Sequence, residues 1–185
     1  MQLHTHTPST STSPSPGRPS HHTLDSFARL GAHELAALYR DARVSTSMHA
    51  ADGALRGRML AIRGAPSPIA RRIARWAASP AFVWEGKTFQ ASNDRVGVGL
   101  NRVRVNGVLG RQDLFHFTTS FGPSAIDGAP SLILDYDLDR NPDYIRHVHD
   151  EIREVEPGLF LGPAMWKRGA AKTLVLWFAL DARWS

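Results

Sequence analysis

The sequence predicts a mainly β protein, a closed antiparallel barrel with one or two flanking helices. Three observations predict it. Seven or eight short runs of β-type residues follow one another with turn residues between them, and no βαβ alternation interrupts the series. The final run, residues 172–180 (KTLVLWFAL), is apolar on both faces and needs cover on both sides. Strands joined in sequence by hairpins leave long unpaired edges in an open sheet, and closing the sheet removes those edges.

Residues 1–23 are Ser, Thr, Pro and His with almost no apolar side chains, too few to offset the entropy of ordering, and are expected to be a disordered tail. His4, His6, His21 and His22 read as solvated tail histidines. Residues 24–185 are expected to form a single β-barrel domain. Within it, AHELAALYRD at 32–41 is rich in helix formers and places Leu35, Leu38 and Tyr39 on one face. A second helix is expected at 67–78, where Ser67 can cap, Pro68 suits the first turn and Ile69, Ile73, Trp76 and Ala77 make an apolar stripe. Strands are expected at 54–62, 82–90, 96–105, 108–120, 131–137, 150–155, 159–166 and 172–180. Asn106-Gly107, Asp127-Gly128 and Pro157-Gly158 punctuate them, because these pairs accept the positive φ of tight turns. On the last strand Leu174, Leu176, Phe178 and Leu180 face one way and Val175, Trp177 and Ala179 the other. One face is read as barrel interior, and the other as the seat of a helix or of a neighbouring chain, which leaves a homodimer open.

Composition narrows the function classes. The chain has 185 residues, of which 42% are hydrophobic, enough for one real core. Lys+Arg number 22 against 17 Asp+Glu, but the cations are scattered among carboxylates, whereas a nucleic-acid partner wants them on one face. Nucleic acid is therefore not expected as a partner. The absence of cysteine excludes disulfides, thiol catalysis and Cys-ligated zinc. No apolar run approaches the ~20 residues that cross a bilayer, and the N-terminus lacks a hydrophobic signal segment, so a cytoplasmic protein without stable membrane insertion is expected.

The stretch Trp84-Glu85-Gly86-Lys87-Thr88-Phe89 resembles the W-x-G-K-x-F segment of small bacterial lipocalin-like proteins of the GXWXG kind. Residues 143–167 followed by 172–181 are similar to the C-terminal half of that family: a polar strand, a glycine-containing hairpin ending in L-G, and an apolar strand. This chain departs from the pattern in having no Gly two places before Trp84 and in the extra helix expected at 67–78. The resemblance implies a calycin barrel that binds a lipid or another hydrophobic small molecule. It implies no catalytic residue.

Polar residues inside β-type segments mark candidate sites, since a buried polar group costs free energy unless it is paired. Asn101 shares a strand face with Gly97 and Gly99, which leave room for a ligand or for a close backbone. His116 stands between Phe115 and Phe117. Alternation puts Tyr136 with Leu132 and Leu134 on one face and Asp135 and Asp137 on the other, so the Tyr136 phenol is expected to point inward. With Trp84 from the resembling segment, Asn101, His116 and Tyr136 form the expected ligand-binding set. An acid–base set for an enzyme comprises His116, Tyr136, Asp150 and Glu151, with His147 and His149 as further bases. Asp135, Asp137, Arg146 and Arg153 read as a structural ion-pair network, with Arg146 facing Asp135, Asp137 or Asp150. His147-x-His149 beside Asp150 has metal-like spacing on a strand, but no third ligand accompanies it, so no metal is expected. GVGLNR lacks nucleotide-loop spacing, no G-x-S-x-G elbow occurs, and no cofactor is expected.

The leading function is therefore binding of a hydrophobic or aromatic small molecule, a lipid or secondary metabolite, inside the barrel. The alternative is a cofactor-free enzyme of cyclase, isomerase or decarboxylase type on the same barrel. A filled barrel serving as a structural or interaction domain is the third class.

Overall fold

Eight strands, β1 (Gly53–Ile62), β2 (Phe82–Ala91), β3 (Val96–Val105), β4 (Gly110–Pro123), β5 (Pro130–Asp135), β6 (Val148–Glu156), β7 (Leu159–Arg168) and β8 (Ala171–Asp181), follow the chain around a closed barrel. Every neighbouring pair is antiparallel, and β8 returns to pair with β1 through Met59↔Phe178 and Gly57↔Leu180. The structure, a computed structural model, describes residues 22–62, 82–105 and 110–183. The helix expected at 67–78, the Asn106-Gly107 turn and the segment before residue 22 lie outside the described residues. Around the expected turn, Val105 of β3 pairs with Gly110 of β4.

Two helices precede the barrel. Thr23 caps α1 (Leu24–Phe27) by accepting from the Ser26 amide, and the His22 amide donates to Glu156 Oε1 at 2.7 Å. In α2 (Ala32–Asp41), Glu34 Oε2 folds back on the Gly31 amide at 2.7 Å and satisfies one of the free donors of the first turn. A 3-10 turn, η1 (Met48–Ala51), packs against β2 and inserts Met48 and Ala51 into one end of the barrel. At the opposite end a short helix, α3 (Asp143–Arg146), sits in the β5–β6 connection and adds Ile145 to the interior.

β8 carries both cores, as its two apolar faces require. Leu176, Phe178 and Leu180 join the interior cluster with Leu55, Phe89, Phe117, Leu134 and Phe160. Trp177 and Ala179 point outward and pack with Leu159 and Leu161 of β7 against Phe27, Leu35 and Tyr39 of the two N-terminal helices. Leu174, expected on the interior face, joins this outer cluster because Val175 is an extra residue in the β7–β8 register. The helices thus supply the outer cover, and Tyr39 lies 5.5 Å from the Trp177 ring.

Strand bounds shift where side chains compete for the backbone. β5 ends at Asp135, two residues before the expected end, because Asp135 Oδ1 accepts from the Asp137 amide and the Leu138 amide turns back to the Tyr136 carbonyl. β6 begins at Val148, two residues earlier than expected. The turns at Gly128 and Gly158 both have φ of +75°, as their sequence signals require.

Candidate functional site

A bulge in β2 decides what enters the barrel. The β2–β3 register runs Trp84↔Val103 and then Gly86↔Arg102, so Glu85 is the extra residue, and it points outward to Arg104 and Arg111. Gly86 has φ +138°, and a Cβ there would lie 2.0 Å from the Leu55 carbonyl oxygen. Only glycine fits this close approach. The bulge shifts the in–out alternation by one, so Trp84 and Lys87 both face inward. Lys87 is 2% exposed.

Inside, Lys87 meets three acceptors. Its Nζ donates to Asn101 Oδ1 at 2.8 Å, to the Tyr136 hydroxyl at 2.5 Å and to Asp150 Oδ2 at 2.8 Å. Asn101 is its direct cross-strand partner on β3, Tyr136 follows the end of β5, and Asp150 is the third residue of β6. The Tyr136 hydroxyl donates to Asp150 Oδ2 at 3.0 Å and accepts from Asn101 Nδ2 at 3.1 Å. Trp84 Nε1 donates to Asn101 Oδ1, and Asn101 Nδ2 also donates to the Phe115 carbonyl. The ammonium lies 5.2 to 5.5 Å from the ring centroids of Trp84, Phe117, Tyr136 and Phe178, a cage that offsets part of its lost hydration.

A second bulge serves the same centre. Leu100 pairs with His116 and Asn101 with Leu114, which leaves Phe115 as the extra residue of β4 at φ +58°. A bulky residue in that region is strained, and here the kink accompanies the Phe115 carbonyl that holds the Asn101 amide.

The electrostatics follow from burial. Removal from water lowers the Lys87 pKa, against the pull of the Asp150 carboxylate. Burial and the same carboxylate hold the Tyr136 phenol well above its ordinary value, so it remains a protonated donor. One atom of the centre has no partner: Asp150 Oδ1 is buried and unbonded.

Of the residues expected from sequence, the structure brings Trp84, Asn101, Tyr136 and Asp150 together. It places His116 elsewhere, on the outer face beside Thr88, Leu100 and Thr118. With Phe117 in the interior and Phe115 taken up by the bulge, His116 must point away from the lumen. At Gly97 and Gly99 it is the close backbone, the second of the two expected reasons, that the structure shows: a Cβ would meet the Gln90 carbonyl oxygen at 2.7 Å and the Thr88 carbonyl oxygen at 2.3 Å, respectively. The Phe117 ring also lies 2.3 Å from the Cβ position at Gly99.

Glu151 also faces outward, because it neighbours the inward Asp150 on one strand. It is wholly buried beneath α2, where Oε2 accepts from the Tyr39 hydroxyl at 2.8 Å and Oε1 accepts from the Ala125 amide. His149 Nε2 lies 2.9 Å from Glu151 Oε1. Burial pushes the Glu151 carboxyl up, but the hydrogen bonds from His149, Ala125, Ser124 and Tyr39 outweigh it and hold the pKa below the usual value. Arg153 spans the same seam, pairing with Asp127 at 2.6 Å and lying over the Tyr39 ring at 4.4 Å. The expected ion-pair residues are thus paired, and the Arg146–Asp137 pair is one of those expected. Arg146 binds Asp137 and Asp139 at the surface and does not reach Asp150, while Asp135 binds Lys167. His147 ends α3 and lies 5.2 Å from the Trp166 ring, so it does not converge with His149.

Lys87 was not expected, because lysine is the residue type least often buried. The available signal was Gly86 inside a strand, a mark of a bulge and hence of a reversal in facing.

No family model matches the chain. No curated protein matches it. Among solved structures it is similar to a protein from Thermomonospora curvata, with 17% identity over 82% of this chain and 87% of that one and a TM-score of 0.48.

Proposed function

We propose that the barrel binds an apolar or aromatic small molecule in its interior, in the manner of a lipocalin-like carrier, with the Lys87 centre as its polar anchor. The carrying observation is a buried ion pair, Lys87 with Asp150, set in an apolar barrel interior some of whose residues are only partly buried. Met59, Trp84, Phe115, Val148 and Ala164 line the interior near the end where β1 stops and β2 starts, and each keeps part of its surface accessible. A buried pair of this kind adds little stability over apolar residues of the same volume, so its presence favours a role in recognition or chemistry. Binding of N-phenyl-1-naphthylamine tests the reading. The expected result is saturable binding at about one per chain that Ala164→Leu or Val148→Phe weakens without lowering the melting temperature. Failure of the dye to saturate overturns it.

A second reading, a cofactor-free acid–base enzyme, is favoured by the shared hydrogen bonds of Lys87, Tyr136 and Asp150, which form a proton path. His116 and Glu151 have no place in it, since both face away from the lumen.

A further inference from the structure

A buried lysine in an apolar barrel invites a carboxylate ligand, but the hydrogen bonds of this centre leave it nothing to bind with. An ammonium has three protons, and those of Lys87 go to Asn101, Tyr136 and Asp150. Both hydrogens of the Asn101 amide are used, on Phe115 and Tyr136, and its oxygen already accepts from Trp84 and Lys87. The Tyr136 hydroxyl spends its proton on Asp150. Trp84 has one N–H, and Asn101 takes it. Every donor is engaged, and the open valence is an acceptor, Asp150 Oδ1.

The surroundings of that oxygen are apolar. Asp150 is 4% exposed, and its ladder partners are Leu134 and Ala164, both on the interior side. Ala164, the cross-strand neighbour of Asp150, is small and only partly buried, so the β7 position opposite the carboxylate carries a methyl group rather than a large side chain. The charge of Asp150 is already balanced by Lys87 at 2.8 Å. A cationic ligand would bring a second, unbalanced positive charge into a desolvated site, and an anionic one would face a carboxylate oxygen with no free donor beside it.

We propose that the centre selects a neutral apolar or aromatic ligand through a hydroxyl or N–H group that donates to Asp150 Oδ1, and that it disfavours carboxylates. The proposal rests on the reading that the barrel interior takes a small molecule. It specifies the chemical class: alcohols, phenols or weakly polar amines of low charge, in place of fatty acids.

The test is a displacement series of equal shape against bound N-phenyl-1-naphthylamine: 2-naphthol, naphthalene, 2-naphthaldehyde and 2-naphthoate. A hydrogen bond to a charged acceptor gives 2-naphthol roughly a tenfold advantage over naphthalene, with the aldehyde and the carboxylate at or below naphthalene. In the apolar variant Lys87→Met/Tyr136→Phe/Asp150→Leu the ratio of 2-naphthol to naphthalene affinity should fall to about one, whatever the dye affinity of that variant. Should that variant not fold, Asp150→Asn serves, and the naphthol advantage should fall severalfold. Tighter binding of 2-naphthoate would overturn the proposal by making Lys87 the anchor. Equal binding of the whole series would overturn it as well, showing that Oδ1 is satisfied without the ligand. Both outcomes leave interior binding intact, whereas failure of the dye and of all four compounds removes the carrier reading itself.

Discussion

Replacing Lys87 by Met removes one partner of a buried pair while nearly keeping its volume. The two side chains are 3% and 5% exposed and their charged atoms lie 2.8 Å apart, so solvent screens them little. Without Lys87, Asp150 keeps the Tyr136 hydroxyl as its one partner, in the company of Leu134 and Ala164. Stranding a buried charge in this way costs about 3–5 kcal/mol, a large share of the ~5–15 kcal/mol that holds a domain together. Removing the whole centre should cost less. In Lys87→Met/Tyr136→Phe/Asp150→Leu the remaining polar group, Asn101, still has Trp84 and the Phe115 carbonyl as partners. The triple variant is therefore expected within about 2 kcal/mol of the parent, and well above the single variant. Urea unfolding followed by tryptophan fluorescence, with the slope compared across variants, measures all three. A Lys87→Met loss under about 1 kcal/mol, or a triple variant less stable than Lys87→Met, would refute the argument.

Three other outcomes follow from the geometry. Phe178→Ala should cost on the order of 3–5 kcal/mol, since the ring is 2% exposed and meets Trp84 edge-on at 5.8 Å; a calorimetric loss below about 1 kcal/mol would mean an unfilled lumen. Gly86→Ala forces a Cβ against the Leu55 carbonyl at a φ of +138° and should cost at least ~1–3 kcal/mol together with dye binding, so an unchanged melting temperature contradicts the bulge. Glu151 has a folded pKa below its unfolded one, so its contribution is present above about pH 4.3 and is lost as pH falls through the folded value. Glu151→Gln should accordingly flatten the fall in melting temperature on the acid side, and an unaltered acid limb would show that other carboxylates dominate it.

The barrel was legible because its signals are local. Turn pairs such as Asp127-Gly128 and Pro157-Gly158 mark the hairpins, and the two apolar faces of 172–180 announce a lumen on one side and a helix seat on the other. Helix 32–41 was readable from propensity and from one face that buries Leu35 and Tyr39. Simple alternation was also enough to turn Tyr136 inward from Leu132 and Leu134. It failed where the register shifts. An extra residue at Glu85 brought Lys87 inside, and an extra residue at Phe115 left His116 outside, and the amino-acid pattern alone gives no count of ladder partners. Asp137 was readable as a partner of Arg146, whereas Asp127 and Asp139, which pair with Arg153 and Arg146, lie in other elements that alternation along one strand does not reach.

The adjacent acids of β6 make that strand unusually indifferent to sliding. In most half-buried strands a shift of one residue swaps an apolar row for a polar one, and the penalty fixes the alignment. Here the shift would bring Glu151 to the lumen and Asp150 toward the seat of α2, so a carboxylate would still meet Lys87 on one side and Tyr39 on the other. Enforcement falls to the next two positions, where Ile152 is apolar and inside and Arg153 is bound to Asp127 outside. Deleting His149 with the preceding register kept would therefore leave a carboxylate on each face while turning both Ile152 and Arg153 to the wrong side. The tolerance of this strand to length changes should thus be decided at Ile152 and Arg153, just beyond the acids themselves.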